Sequence, residues 1–181
     1  MTFTQTRLSG AILIEPKVWA DARGFFFESY HQQQFAEAGL TAAFVQDNHS
    51  RSAKGTLRGL HYQIEPMAQG KLVRVLRGAA FDVGVDIRRG SPTFGQWIAA
   101  TLSAENKQML YFPPGFAHGF LALEDGTEVL YKVTQCYSPA HERGIVWDDP
   151  ALAIRWPEIG MEYIIAERDR QFPRLPEALT H

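Results

Sequence analysis

The sequence predicts a mainly β protein, a jelly-roll barrel or sandwich with short peripheral helices, formed by one domain over residues 1–181. Several short apolar runs alternate with polar residues at a period of two, which is typical of β-strands. Turn-forming stretches such as SAEN and PPG separate these runs. Strands of this length and spacing favour a sandwich or barrel. A chain of 181 residues also fits a single domain with its own core.

The first regular element is a short helix at Tyr30–Gly39, with the sequence YHQQQFAEAG. Helical spacing places Phe35 and Ala38 on one side, and Gly39 suits the position that follows a helix C-terminus. The next element, RGLHYQ at residues 58–63, is interpreted as a buried strand that contains an arginine, a glycine and a histidine. Ionisable side chains in such a strand indicate either a functional site or a hydrogen-bonded core group.

Two strands are predicted at Leu72–Leu76 and Ala79–Ile87, joined by a turn at Arg77-Gly78. In the second strand, apolar residues alternate with Asp82, Gly84 and Asp86. Because the link between the two strands is so short, we expect them to pair as a hairpin.

The remaining strands are predicted at Trp97–Leu102, Met109–Phe112, Phe116–Leu123 and Thr127–Tyr137. In the last of these, the odd-numbered positions form one face that carries both Tyr131 and Tyr137. The tail after Pro157 shows no periodicity, and we expect it to wrap the surface as an irregular segment.

Composition argues against several classes of partner. Lys and Arg total 18 against 20 Asp and Glu, and a net charge of −2 is not typical of a nucleic-acid-binding protein. The single cysteine, Cys136, cannot form an intrachain disulfide, which favours a reducing compartment. The first twenty residues resemble neither a signal peptide nor an anchor, and no segment approaches the ~18 apolar residues of a membrane span. We therefore expect a cytoplasmic protein that binds neither nucleic acid nor membrane.

A histidine inside a β-barrel raises the possibility of a metal site. The first motif of the cupin superfamily runs Gly, five residues, His-x-His, three or four residues, then Glu. Gly55 and His61 have this spacing, but the second histidine position holds Gln63 and the glutamate position falls on Met67 or Ala68.

The second cupin motif, Pro-x-Gly-x-x-His, is present as Pro113, Gly115 and His118. Two of the four ligand positions therefore hold other residues, and two histidines alone make a poor site for zinc or iron. The chain resembles a cupin-like jelly roll that keeps the pocket without the metal. We expect no metal and no cofactor.

Three side chains in this frame suggest acid-base chemistry instead. A neutral histidine such as His61 removes a proton from carbon when a neighbouring carbonyl makes that proton acidic. A lysine ammonium such as Lys71 stabilises the enolate that results. A tyrosine such as Tyr131 on the opposite face then returns a proton and inverts the carbon. Together they describe an epimerase that needs no cofactor.

Longer stretches carry a family resemblance: DARGFFFESY, FVQDNHSRSAKGTLRGLHYQ, QGKLVRVLRGAAFDVGVDIRRGSPTFG, YFPPGFAHGFLAL, VLYKVTQCYSP and GIVWDDP. They run in order from Asp21 to Pro150, and the chain resembles the dTDP-4-dehydrorhamnose 3,5-epimerase family. The resemblance implies inversion of C3 and C5 of dTDP-4-dehydro-6-deoxy-D-glucose to dTDP-4-dehydro-L-rhamnose, a step in dTDP-L-rhamnose biosynthesis.

The resemblance also implies catalytic roles. It makes His61 the base, Tyr131 the acid on the other face, and Lys71 the cation beside the C4 oxygen. It pairs His61 with Asp169 near the C-terminus, a partner that would hold the ring tautomer and stabilise the imidazolium. The chain departs from the family pattern here, since Arg168 stands where the family usually has lysine.

A second set of residues matches the positions that hold the nucleotide end of the substrate in this family. The resemblance implies that Arg23, Phe25 and Glu28 reach into a neighbouring subunit to hold the thymidine, so we expect a homodimer. Arginine suits diphosphate oxygens, and an aromatic ring gives the base a stacking surface. Further contacts are implied for Gln46, Asn48, Ser50 and Tyr137.

Pocket roles are implied for Arg58 and His118, with Asp82 as a supporting partner on the strand after Lys71. On a regular strand Arg58 and His61 point to opposite sides. Both face the pocket only if Gly59 permits a bulge or the strand begins later.

Other functions stay open at this point. A relative that inverts one carbon, or acts on another dTDP-deoxysugar, has the same chemistry. A barrel that binds a nucleotide sugar without reaction is a second class, although a binder has no use for an acid and a base on opposite faces. A metal-dependent cupin oxygenase is a further alternative. Taken singly, each named residue also fits a structural role in the core, in a turn or on the surface.

Overall fold

The computed structural model describes residues 1–180 and confirms the predicted mainly β, jelly-roll architecture. The first sheet contains, in spatial order, β1 (Thr2–Gln5), β2 (Ile12–Glu15), β10 (Met109–Phe112), β7 (Lys71–Arg77), β12 (Thr127–Val133) and β5 (Gln46–Ser52). The second contains β13 (Glu142–Gly144), β6 (Thr56–Gln63), β11 (Phe116–Ala122), β8 (Ala79–Asp86) and β9 (Trp97–Ser103), with β14 (Ile164–Ile165) parallel to β6. Outside the sheets lie the hairpin of β3 (Trp19–Asp21) and β4 (Gly24–Phe26), helices α1 (Gln32–Glu37) and α2 (Glu167–Arg170), and a 3₁₀ turn at Leu175–Glu177.

Side chains from both sheets meet in one apolar core, so the sheets lie face to face. The first sheet contributes Val73, Leu110 and Val129, and the second contributes Phe116 and Phe120. Burial of these side chains drives the sheets together. A cavity that opens between the sheets therefore has one wall from each.

The predicted hairpin at Arg77-Gly78 is wrong, because β7 and β8 belong to different sheets. Strand β7 pairs with β10 and β12, whereas β8 pairs with β11 and β9. Gly78 has a φ of +71°, and a Cβ there would lie 2.7 Å from Thr127 Oγ1. The glycine thus lets the chain turn sharply from one sheet into the other, and periodicity along a strand carries no information about its pairing partner.

The outer face of the second sheet is covered by the C-terminal tail. The tail is mostly irregular, as predicted, yet Leu175 and Ala178 are buried there against a cluster that includes Val83 and Leu152. The carboxylate of Asp149 accepts a hydrogen bond from the Leu175 N–H at 2.6 Å. The tail is therefore a second packed layer, and it holds α2 in place over β6.

The predicted helix is present but shorter. Its N-cap is His31, whose Nδ1 accepts from the N–H of Gln34, and Phe35 is its buried residue. Gly39 follows the helix with a φ of +87°, the left-handed conformation expected of a glycine at that position.

The strand that carries Arg58 and His61 has a bulge, which is one of the two alternatives that the sequence left open. His61 pairs with His118 and Arg58 pairs with Phe120, so one residue of β11 faces two residues of β6. The extra residue is accommodated at Gly59, where φ is +135° and a Cβ would come within 2.5 Å of the backbone of β11. The bulge cancels the opposite parity of the two side chains.

Candidate active site

Three of the predicted catalytic residues line one cavity between the sheets. His61 lies on β6 in the second sheet, whereas Lys71 and Tyr131 lie on the paired strands β7 and β12 of the first. The other lining residues are Asn48, Tyr62, Gln63, Gln69, Tyr137 and Glu142. The histidine and the tyrosine therefore project from opposite walls.

His61 and Asp169 are paired, although 108 positions separate them in the chain. His61 Nε2 and Asp169 Oδ1 are 2.9 Å apart, and the Gly59 N–H donates to Asp169 Oδ2 at 3.2 Å. Burial opposes the charge on Asp169, but its hydrogen bonds to His61 and Gly59 and the charges of His61 and Arg168 lower its pKa. An ionised Asp169 holds the proton on Nε2 and leaves the lone pair of His61 on Nδ1.

Lys71 is almost fully buried, with 7% of its surface exposed. Its Nζ donates to the carbonyl oxygen of His61 at 3.1 Å, which fixes the ammonium next to the strand of the histidine. Burial lowers the pKa of Lys71 to about 8, while the charges of Glu142 and Asp82 oppose the shift. At neutral pH the side chain is still mainly cationic, in a site where little water screens it.

Tyr131 is partly buried against the apolar core, and its ring centroid is 6.3 Å from that of His118. Burial raises the pKa of Tyr131, the charge of Arg58 lowers it, and the charge of Glu142 raises it. The net rise keeps the hydroxyl protonated at neutral pH. Tyr131 is therefore equipped to donate a proton.

Asp82 and His118 form a buried pair behind the cavity. Asp82 Oδ1 and His118 Nε2 are 2.7 Å apart, and burial lowers the pKa of His118 against the opposing effect of Asp82. Within residues 1–180, Asp82 Oδ2 has no hydrogen-bond partner. Neither residue is among the described residues that line the cavity, although the charge of Asp82 acts on Lys71.

One edge of the cavity is closed by a network around Glu142. Glu142 Oε2 accepts from the Tyr137 hydroxyl at 2.9 Å and from Arg168 Nη1 at 2.8 Å. Tyr137 lies beyond the end of β12 at Val133, so the predicted strand to Tyr137 is four residues too long. Tyr137 nonetheless lines the cavity with half of its surface exposed.

The three predicted nucleotide contacts on β5, Gln46, Asn48 and Ser50, have different surroundings. Asn48 lines the cavity and pairs across the ladder with Tyr131. Gln46 donates to Asn48 Oδ1 at 2.8 Å and accepts from the Tyr137 N–H at 2.9 Å. The hydroxyl of Ser50 is buried without a hydrogen-bond partner among the described residues. Gln46 thus joins β5 to the edge of the cavity formed by Tyr137.

The predicted nucleotide-binding arm lies outside this cavity within one chain. Its hairpin of β3 and β4 is exposed, with Arg23 at 90% side-chain exposure and Phe25 at 62%. Arg23 is paired with Asp21, and Glu28 accepts from Gln34 at 3.2 Å. One subunit therefore does not bring these residues to His61.

The residues at the cupin ligand positions form hydrogen bonds within the protein. Gln63 Nε2 donates to the carbonyl oxygens of Met67 and Cys136, and Gln63 Oε1 accepts from the Ser138 N–H. The Nε2 atoms of His61 and His118 each face a carboxylate. In the described part of the chain, no three His, Cys, Asp or Glu side chains are grouped as ligands of a metal ion.

Sequence reasoning missed Glu142 and Gln69 as cavity residues. Glu142 lies on a three-residue strand opposite Gln63, which is too short for a periodic signal. Gln69 donates to the carbonyl oxygen of Gln135 at 2.7 Å and lies in the loop before Lys71. Strand pairing with β6 brings Glu142 to the site, whereas Gln69 is held there by its hydrogen bond to Gln135.

A family profile described as dTDP-4-dehydrorhamnose 3,5-epimerase matches residues 5–177. The chain is 58% identical to the dTDP-4-dehydrorhamnose 3,5-epimerase of Pseudomonas aeruginosa over 172 residues, 94% of each protein. Its fold is similar to that of a dTDP-6-deoxy-D-glucose-3,5-epimerase from Legionella pneumophila, solved with dTDP-4-keto-L-rhamnose. That pair has a TM-score of 0.93 and 48% identity, over 97% of this chain and 93% of the other.

A protein named as a monoepimerase is also similar in structure. This is a 3'-monoepimerase from Streptomyces bikiniensis, solved with dTDP-quinovose, at 35% identity and a TM-score of 0.90. The match covers 96% of this chain and 87% of the other.

Among residues 1–180, no helix combines the length and the hydropathy needed to cross a membrane.

Proposed function

The chain belongs to the dTDP-4-dehydrorhamnose 3,5-epimerase family, and we propose that His61, Lys71 and Tyr131 carry out its reaction as base, electrophile and acid. The enzyme inverts C3 and C5 of dTDP-4-dehydro-6-deoxy-D-glucose to give dTDP-4-dehydro-L-rhamnose, a step in dTDP-L-rhamnose biosynthesis. The observation that supports these roles is the placement of His61 and Tyr131 on opposite walls of one cavity.

Proton removal begins at His61. Its Nδ1 carries the lone pair because Asp169 accepts from Nε2, and it takes the proton from a carbon beside the C4 ketone. The imidazolium that forms is stabilised by the Asp169 carboxylate at 2.9 Å. The pair therefore acts as a general base whose orientation is set before the substrate binds.

The electrons of the broken C–H bond move into the ketone and create an enolate at C4. The Lys71 ammonium lies in a buried position where its charge is poorly screened, so it stabilises that oxyanion. C3 and C5 both flank C4. One lysine beside the C4 oxygen therefore serves both inversions.

Tyr131 completes each inversion by giving its proton to the face opposite His61. Its raised pKa keeps that proton available at neutral pH. Arg58, whose charge acts on Tyr131, favours the phenolate that forms after transfer. Asn48, Tyr137 and Glu142 line the same cavity and are proposed as contacts to the substrate.

Proton NMR of the 4-keto sugar nucleotide in deuterated water tests this function. With catalytic enzyme, we expect the C3 and C5 proton signals both to disappear as deuterium enters. Loss of one signal would contradict double inversion and indicate a monoepimerase, the activity named for the Streptomyces bikiniensis relative. Loss of neither would contradict catalysis on this substrate.

Tyr131→Phe separates abstraction from reprotonation. In this variant the rate of formation of epimerised product is expected to fall about 10²- to 10³-fold, because the acid is absent while the base remains. Deuterium is still expected to enter the sugar with retention of configuration, since His61 returns a deuteron to the face from which it took the proton. Full epimerase turnover in this variant, measured by NMR, would remove the acid role from Tyr131.

We further propose a homodimer in which the exposed hairpin of β3 and β4 binds in the partner's site. The exposure of Arg23 and Phe25 supports this, because a fork of donors and an apolar ring suit a nucleoside diphosphate. Arg23→Ala and His61→Ala chains, each inactive alone, are expected to complement each other when co-expressed. Their mixed dimer has one site with both His61 and a partner's Arg23.

Random pairing would restore about a quarter of the wild-type sites in a symmetric dimer. The measurement is epimerase activity of the co-purified mixture, compared with each variant expressed alone. Absence of recovery, when sedimentation shows that mixed dimers are present, would contradict the exchange of arms.

A further inference from the structure

The His61 ring contacts the ring of Phe172. The two ring centroids are 5.6 Å apart, and the ring planes meet at 80°, an edge-to-face contact. The hydrogen bond to Asp169 holds only one edge of the imidazole. Rotation about χ2 of a histidine has broad minima, so a second contact narrows the range of ring orientations that the hydrogen bond allows.

Phe172 occupies a space that exists because residue 144 is a glycine. Gly144 on β13 pairs directly with His61 on β6. A Cβ at Gly144 would lie 2.3 Å from two carbons of the Phe172 ring, closer than any real contact. The missing side chain therefore forms a seat in which the ring lies against the backbone beside His61.

Hydrogen bonds hold the chain both before and after Phe172. Asp169, three residues earlier, is held by His61 and by the Gly59 N–H. Immediately after it, the carbonyl oxygen of Pro173 accepts from the Val146 N–H at 3.0 Å. One short segment thus supplies both the hydrogen-bond partner of His61 and the aromatic wall against its ring.

We propose that Phe172, seated on Gly144, is a positioning residue that holds the His61 ring in its proton-abstracting orientation. This inference rests on the proposed role of His61 as the base. Phe172 acts through His61 and needs no contact with the substrate. Its loss is therefore expected to slow proton abstraction while nucleotide binding stays intact.

The first test is deuterium exchange at C3 and C5 by NMR. In Phe172→Ala the exchange rate at saturating substrate is expected to fall about 10- to 100-fold, the usual cost of a misplaced catalytic group. The dissociation constant for dTDP, measured by calorimetry, is expected to stay within about twofold of wild type. Phe172→Leu, which restores apolar volume on the seat, is expected to recover part of the rate.

Phe94→Ala is the matched control, because Phe94 is also partly exposed and lies outside the cavity. It is expected to leave exchange unchanged. Wild-type exchange in Phe172→Ala, or an equal loss of dTDP binding and exchange, would overturn the proposal.

A double-mutant cycle tests the seat itself. Gly144→Ala is expected to slow exchange because its methyl group displaces the Phe172 ring. In the Phe172→Ala background the same change meets no ring, so it is expected to add little further loss. Additive losses would overturn the seat.

His61→Ala, measured in parallel, separates this proposal from the proposed function. Its exchange is expected to fall by roughly 10³- to 10⁴-fold. If it falls in this way while Phe172→Ala exchanges normally, only the positioning role is refuted. If His61→Ala itself exchanges normally, both proposals are refuted.

Discussion

His61→Ala is expected to reduce exchange of the C3 and C5 protons by roughly 10³- to 10⁴-fold, the upper range for loss of a general base. The imidazole is the group that Asp169 orients, and alanine leaves no imidazole at that wall of the cavity. NMR in deuterated water measures the loss directly, with no need for product formation. Binding of dTDP is expected to change little, because the base contacts the sugar and not the nucleotide.

His49→Ala is the matched control for this variant. His49 lies on β5, is half exposed and is paired with Glu128 outside the cavity. It is expected to exchange at the wild-type rate. Persistent exchange in His61→Ala would transfer the base role to another cavity residue, for which Glu142 is the carboxylate at hand.

Lys71→Met is expected to lower the rate of both inversions by about 10²- to 10³-fold, comparable to removal of one oxyanion donor elsewhere. Methionine keeps much of the length and apolar contact of the buried lysine but has no charge, so the enolate loses its cationic partner. Steady-state kinetics with the 4-keto sugar nucleotide measure the effect as a fall in kcat. A variant with unchanged kcat would show that another donor stabilises the oxyanion.

The titration of Lys71 adds a pH signature to this prediction. Its pKa is lowered to about 8, so the ammonium is present below that pH and is lost as the pH rises through it. Wild-type activity is therefore expected to decline above about pH 8, at the pKa of the electrophile. The raised pKa of Tyr131 places loss of the acid at higher pH. The decline near pH 8 should be absent from the residual activity of Lys71→Met.

Parts of the fold could be predicted because local chemistry determines them. Gly39 adopts the left-handed conformation that ends α1, and the bulge at Gly59 is one of the two alternatives that the opposite parity of Arg58 and His61 left open. The strands β9, β10, β11 and β12 follow the apolar runs in the sequence. Each of these features depends on neighbours within a few positions.

Other parts could not be predicted because they depend on distant pairing. Strands β7 and β8 are joined by a short turn yet belong to different sheets, since burial of both faces of β8 requires a central place in the second sheet. Glu142 reaches the cavity only because β13 pairs with β6. Neither fact has a signature in the period of the residues involved.

The amino-acid sequence alone predicted the class of fold, the family resemblance and the candidates for base, cation and acid. It did so because alternation, turn residues and reactive side chains are properties of short stretches. The pairing of Asp169 with His61 was implied only by the family resemblance, and the tertiary structure alone showed the 2.9 Å contact and the position of Phe172 on Gly144. Those contacts join segments far apart in the chain, and they form because the tail buries its apolar residues against the second sheet.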